Sequence, residues 1–269
     1  MLEAGSDINE ASPGDRATPL FIATVNGHFD MAHSLLDRGA DPTLANTAGG
    51  TPLYAAVNVK WAPQTTYPQP DTTQEKVTYL ELMQAFLDSG ADPNVRLEKK
   101  LWFASYFSDL SRANAAGGTA FWRVAQVGDV AAMRLLIGSG ADSEITTKEG
   151  VSPLNVATGA GFHGNDEVTV PGGLMPAIRY LIEELGADVN QADNERGGYT
   201  PLHNAAGLGD NEMVRYLVDH GANVRALSDS GQTVADMANG PRQRIQPFPE
   251  TIALLRKLGS PFNDNCVSC

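Results

Sequence analysis

Apolar positions along this chain recur in two short patterns, separated by turns rich in Gly, Asp and Asn. In the first pattern, Thr-Pro-Leu or a variant leads into small apolar residues. It stands at Thr18-Pro19-Leu20, Thr51-Pro52-Leu53, Ser152-Pro153-Leu154 and Thr200-Pro201-Leu202, with weaker copies at Thr119-Ala120-Phe121 and Thr233-Val234-Ala235. In the second, a Leu-Leu pair runs into a Gly-Ala-Asp turn, as in Leu35-Leu36-Asp37-Arg38-Gly39-Ala40-Asp41. That ending returns at Gly90-Ala91-Asp92, Gly140-Ala141-Asp142, Gly186-Ala187-Asp188 and Gly221-Ala222-Asn223. Thr before Pro predicts a helix start, because the hydroxyl caps free N–H groups and Pro at the first helical position loses no hydrogen bond. Gly after the Leu pair predicts a helix end, where a left-handed residue is needed. Each unit therefore reads as turn, short helix, turn, longer amphipathic helix, and a Gly-Asp turn leading onward.

The spacing is regular where it is not interrupted. Thr18 to Thr51, Thr119 to Ser152, and Thr200 to Thr233 are each 33 residues, whereas Thr51 to Thr119 is 68 and Ser152 to Thr200 is 48. A fixed pitch of this size is the signature of a repeat array. The pitch, with Thr200-Pro201-Leu202-His203-Asn204-Ala205 at the first helix, resembles the ankyrin repeat. The resemblance covers nearly the whole chain and implies an all-α fold: an ankyrin-repeat solenoid of helix-turn-helix units with short β-hairpin-like turns over residues 1–262. A partial repeat occupies 1–9, and full units fall at about 15–45, 46–95, 116–145, 148–192, 196–228 and 229–262. Residues 263–269 form a tail.

The excess length is confined to particular units. Trp61 to about Glu75, Phe162 to Gly173, and Gly240 to Pro249 each fall between the two helices of a unit, and their Pro, Gly and polar content reads as loop. Stacking is expected to bring the three to one rim. Residues 96–115 lie instead between a Gly-Ala-Asp turn and the next helix pair, where the resemblance places a projecting hairpin. With these insertions the chain resembles multi-repeat bacterial ankyrin proteins, some of which the resemblance implies are exported.

Candidate contact residues follow from these departures. Trp102, Phe103, Tyr106 and Phe107 concentrate aromatics in the hairpin insertion. They form either a recognition surface, since loops carry recognition and Trp and Tyr dominate hot spots, or the small core of a finger folded on itself. Trp61 and Tyr67 in the first rim loop are either ligand contacts or anchors of that loop. Trp122 takes the place that His203 holds in the clearest unit and is expected on the concave face, while Phe121 fills a core slot. The resemblance implies that His203 and His28 bond within and between units. His33, His163 and His220 have no metal-ligand spacing, and no Ser or Cys stands in a nucleophile turn, so neither metal, cofactor nor catalytic residues are assigned. Phe162 to Glu167 lacks the ligand spacing of a calcium loop.

Charge and cysteine content narrow the partners. A net charge of −13 and a pI near 4.7 point away from nucleic acid and anionic membranes, both of which select clustered Lys and Arg. No apolar run approaches the roughly 18 residues that cross a bilayer. Both cysteines, Cys266 and Cys269, sit in the last four residues. They are a disulfide candidate, which would imply an oxidising compartment, or a tail without function. Met1 to Asn9 reads as the end of a repeat without its beginning, so the chain is expected to start inside the solenoid as a fragment or from a misplaced start codon, any leader lost with it. The compartment stays open between cytoplasm and periplasm.

The reading that results is a monomeric scaffold that binds a protein through its concave face, hairpin tips and inserted loops. The alternatives are an enzyme or small-molecule binder whose pocket the loops close, and a structural spacer of a longer protein.

Overall fold

The computed structural model describes residues 7–61, 70–99, 101, 113–161, 169–194, 197–240 and 247–263. Its helices come in pairs: α1 (Pro19–Val25) with α2 (Phe29–Asp37), α3 (Pro52–Lys60) with α4 (Tyr79–Asp88), and α5 (Ala120–Val127) with α6 (Val130–Gly138). Then come α7 (Pro153–Ala157) with α8 (Met175–Arg179), α9 (Pro201–Leu208) with α10 (Asn211–Asp219), and α11 (Val234–Asn239) with α12 (Pro249–Leu258). A π-helical turn, Tyr180–Glu184, continues α8. First helices stack in one layer, α1 on α3 on α5 on α7 on α9 on α11; α2, α4 and α6 stack in the second.

The first helix of every pair starts as the sequence predicts. The hydroxyls of Thr18, Thr51, Thr119, Ser152, Thr200 and Thr233 each accept the N–H three residues on, at 3.0–3.4 Å. Small residues then let neighbouring first helices approach, with Ala55, Ala125, Ala157, Ala205 and Ala235 all fully buried. In the second layer, Leu82, Phe86, Met133, Leu136, Val214 and Leu217 face inward and are likewise inaccessible. The two helices of a unit pack on each other, and each layer completes its cover against the adjacent unit, the condition that makes a repeat array one-dimensional.

Between the helix pairs, successive turns touch backbone to backbone. Thr47 N–H donates to Asp15 O at 2.8 Å, Glu98 to Ala48 at 2.9 Å, Lys148 to Ala116 at 2.7 Å, Asn194 to Glu149 at 3.0 Å and Asp229 to Gly197 at 2.8 Å. Close approach demands glycine at the contact. Gly117 (φ +85°) and Gly150 (φ +75°) are left-handed, and a Cβ there would meet the next unit's backbone, at 2.6 Å from Lys148 N and 2.8 Å from Asn194 N. The described residues also hold an isolated antiparallel bridge between Leu227 and Thr233.

A second tie runs from the first helix, three residues beyond its cap. His203 Nδ1 accepts Thr200 N–H at 3.2 Å, which leaves Nε2 to donate to Gln232 O of the next unit at 3.4 Å. Asn155 Nδ2 donates to Gln191 O at 2.8 Å, and Asp236 Oδ1 accepts Asn263 N–H at 2.9 Å. Trp122 fills this slot in its own unit: it is 0% exposed, and Nε1 donates to Val151 O at 3.0 Å. The expectation that Trp122 faces a partner is therefore corrected. Its size turns it into the gap between two units, where the indole N–H does the work of the imidazole in the His203 unit.

Two outcomes test this architecture. Gly140 is left-handed (φ +89°) with nothing near its missing Cβ, so Gly140→Ala is expected to cost only the conformational term, about 1–2 kcal/mol. Gly150→Ala is expected to cost at least ~1 kcal/mol more in urea unfolding, and equal losses would deny the close approach its role. The second outcome concerns His203, whose pKa burial depresses from 6.5 to about 4. The unfolded chain takes up that proton below pH ~6.5 and the folded chain only near pH 4, so stability is full above this window and falls through it. The loss amounts to about 3 kcal/mol. His203→Asn, which copies the Asn155 unit, is expected to flatten the wild-type decline in thermal midpoint between those pH values.

Candidate interaction surface

The helix bounds leave residues 61–78, 158–174 and 240–248 between paired helices, and the described ends of these segments behave alike. Each returns over the inter-helix turn of the unit before it. Asp30 Oδ1 accepts Lys76 and Val77 N–H at 2.9 and 2.8 Å, while Glu75 Oε2 accepts Asp30 N–H at 2.7 Å. Val170 N–H donates to Val127 O at 3.0 Å, beside Gly128. Phe248 lies against Gly209, where a Cβ would stand 2.5 Å from its ring. The turns at Gly27, Gly128 and Gly209 occupy one register, so the three loop exits line one edge of the stack.

Trp61 stands at the root of the first of these loops, half-buried, and its ring is fixed on three sides. Nε1 donates to Asp129 Oδ2 at 2.8 Å, the carbonyl accepts Arg123 Nη2 at 2.6 Å, and the ring meets Tyr79 edge-on at 6.2 Å between centroids. Tyr79 Oη donates to the same Asp129 oxygen at 2.6 Å. Burial, and then this bond to a carboxylate, raise the ionisation of Tyr79 above the ordinary phenol range. The Lys60 ammonium lies 5.6 Å from the centroids of both rings. Asp129 itself is buried and caps α6 through Ala132 N–H at 3.1 Å. Trp61 therefore anchors its loop across two units.

Arg123 was not singled out by the sequence. It is 5% exposed and bonds Asn58 Oδ1 and Gln126 Oε1, both at 3.1 Å, besides Trp61 O. The signal was available: it occupies the slot four residues past the cap that Ile22, Ala55 and Val156 fill elsewhere, a cation within an apolar run. Asn204, in the same slot, donates to Asn155 Oδ1 at 3.0 Å. This slot reaches back to the preceding unit.

The second layer carries a different series. The Arg134 guanidinium lies 4.3 Å above the Tyr180 ring and pairs with both Glu184 oxygens, at 2.9 and 2.5 Å. One unit on, Arg179 lies 4.6 Å above Tyr216, whose hydroxyl donates to Glu183 at 2.8 Å. The π-helical turn sets Glu183 and Glu184 toward opposite neighbours. These groups bind each other across units, and pairs this exposed add little to stability.

Tyr67, Trp102, Phe103, Tyr106, Phe107, Cys266 and Cys269 lie outside the described residues. The root of the 96–115 insertion is described and is firmly held. Arg96 donates to Gly117 O at 2.8 Å and Thr146 O at 2.7 Å, and Lys148 Nζ to Glu98 O at 2.9 Å. Leu97 and Leu101 are 2% exposed. His28, expected to tie units together, is exposed and makes no cap bond with its side chain. Among the described residues no cluster of three His, Cys, Asp or Glu side chains is arranged to hold a metal.

Comparison with known proteins agrees with this geometry. The family model described as "Ankyrin repeats (many copies)" matches residues 184–238, and that described as "Ankyrin repeat" matches residues 15–47. Ankyrin repeat and SOCS box protein 16 of Homo sapiens is 28% identical over 245 residues, 87% of this chain and 49% of that protein. Other curated relatives are much longer, the chain spanning 27%, 15% and 16% of three of them. Among solved structures, the human ASB11 ankyrin repeat domain matches at TM-score 0.61 and 20% identity, covering 94% of this chain and 89% of that one. The ankyrin repeat domain of Bcl-3 matches at TM-score 0.59 and 24% identity, covering 92% and 88%. Ankyrin-repeat family models thus match near both ends of one continuous stack of capped helix pairs, whose fold is similar to that of ankyrin repeat domains.

Proposed function

We propose that this chain is a non-catalytic scaffold that binds a protein partner along its first-helix face, its hairpin tips and its inserted loops. The observation that carries the reading is the alignment of the three loop exits on one edge of a stiff stack. Variable segments on a fixed scaffold are the usual arrangement of recognition surfaces. The buried polar side chains support it from the other direction, because Asp129, Asn155, His203 and Asp236 are engaged in ties within and between units. The partner contacts proposed are Trp102, Phe103, Tyr106 and Phe107 of the insertion, with Tyr67 and the open side of Trp61 at the first loop. The charge of −13 favours a basic partner over nucleic acid. No helix of the described residues is long and apolar enough to cross a membrane. The chain is proposed to act as a monomer.

Affinity capture with the full chain, followed by calorimetry on the protein identified, tests this reading. Trp102→Ala with Tyr106→Ala is expected to weaken binding at least ~10-fold at unchanged circular dichroism, in keeping with aromatic hot spots. Undiminished affinity in that variant and in Trp61→Ala would overturn the assignment of the contacts. A chain that retains no protein above an acidic control would overturn the scaffold itself.

A further inference from the structure

Tyrosine rings in this stack are met by cations in two ways. The Tyr180 and Tyr216 rings each carry a guanidinium, Arg134 at 4.3 Å and Arg179 at 4.6 Å. A carboxylate stands beside each, Glu184 paired with Arg134 and Glu183 accepting the Tyr216 hydroxyl at 2.8 Å. Tyr79 makes a third case. Its hydroxyl likewise donates to a carboxylate, Asp129 Oδ2, at 2.6 Å. The cation over its ring, however, is the Lys60 ammonium, 5.6 Å from its centroid and equally far from that of Trp61. That is near the outer reach of a cation–π contact, roughly 6 Å.

The two rings are held more firmly than the cation that lies over them. Their planes stand 82° apart with centroids at 6.2 Å, so they form the walls of one corner. The indole N–H and the phenol O–H both go to the same oxygen of Asp129, which is buried and fixed in turn as the cap of α6. The shared carboxylate orients both rings. It also pushes electron density back through the two donors, which strengthens the attraction of a cation to the ring faces. Both rings remain half-buried, with part of their surface open to solvent.

Lys60 is loosely placed in this corner. It is exposed, and among the described residues no carboxylate or hydrogen-bond acceptor holds its ammonium. An ammonium is also a compact, strongly hydrated charge, whereas a guanidinium is flat, weakly hydrated and stacks on aromatic faces. The approach of Arg134 and Arg179 to their rings, more than 5.6 Å allows Lys60, shows that difference within one molecule.

We propose that the Trp61–Tyr79 corner is a receptor for an arginine side chain of the partner, and that Lys60 is the resident cation which this arginine displaces. The proposal rests on the scaffold reading above and gives its basic partner one defined contact. The charge of −13 draws such a partner in, and the rings at the root of the first loop fix its arginine in place.

The probe is acetyl-Gly-Arg-Gly-Arg-Gly-amide, with its lysine counterpart as control. Each is titrated against the full chain at about 0.15 M salt, where exposed charges more than ~8 Å apart are largely screened. The signal followed is the indole N–H of Trp61 in proton–nitrogen spectra. The arginine peptide is expected to shift it saturably and to bind at least ~3-fold more tightly than the lysine peptide. Lys60→Gln, at an exposed position, is expected to tighten the arginine peptide at least ~3-fold at unchanged circular dichroism. Tyr79→Phe keeps the ring but parts it from Asp129, and is expected to weaken that peptide about 2-fold. An indole unmoved by the arginine peptide overturns the proposal. So does equal binding of the two peptides, and so does an affinity that Lys60→Gln leaves unchanged. A chain that captures a protein while its indole ignores the peptide keeps the scaffold and loses the receptor. One that binds the peptide yet captures no protein keeps the receptor and loses the scaffold.

Discussion

Backbone contact between successive turns is the constraint on which the rest of this molecule depends. At Gly117 and Gly150 the next unit's N–H stands where a side chain would begin, and each turn donates one hydrogen bond into its neighbour. That contact sets the distance and rotation between units. Once these are set, the apolar stripes of adjacent helix pairs meet, and the slot three residues past the cap lies opposite a backbone group. That group belongs to the next unit for Trp122 and His203, to its own unit's closing turn for Asn155 and to the C-terminal tail for Asp236. Trp122, Asn155, His203 and Asp236 are unrelated in chemistry, yet each makes its bond there. What the position requires is a buried group able to satisfy the adjoining backbone, since an unpaired polar group in so dry a place costs free energy of the order of a lost hydrogen bond.

The same spacing decides where variation is tolerated. A segment inserted between the two helices of a unit leaves the inter-unit contact untouched, provided it returns to the inter-helix turn. Three loops do so, through Asp30, Val127 and the neighbourhood of Gly209. Trp61 shows how such a loop is secured: the indole and the Tyr79 phenol of one unit converge on the Asp129 carboxylate of the next at its root. A frame with its irregular segments gathered on one edge suits recognition, and the helix stack itself is similar in fold to the ankyrin repeat domains of ASB11 and Bcl-3.

Local signals carried most of the fold into the sequence. A Thr or Ser cap, Pro at the first helical position and Gly after Leu-Leu act within a few residues, and all six first helices begin where those signals stand. The fate of a side chain that must choose between two faces was less legible. Trp122 shares its slot with His203, but whether the slot opens to solvent or into the next unit depends on partners 29 residues away in both cases. Arg123 and Asp129 were overlooked for a related reason. Their partners sit 62–68 residues back or in an inserted loop, and no periodicity connects them. The π-helical turn after α8 was equally hidden, since its extra residue leaves Leu181 in the register of the other second helices.

Native-state hydrogen exchange addresses the central claim most directly. The indole N–H of Trp122 and the amides of Glu98, Lys148, Asn194 and Asp229 all bridge one unit to the next. If the stack holds together through these bridges, the five protons exchange as slowly as the buried amides within α5 and α9, because opening them requires parting the units. Exchange of the bridging protons near the rate of open turns, while the helix amides remain protected, would mean that each helix pair stands on its own and would contradict the account.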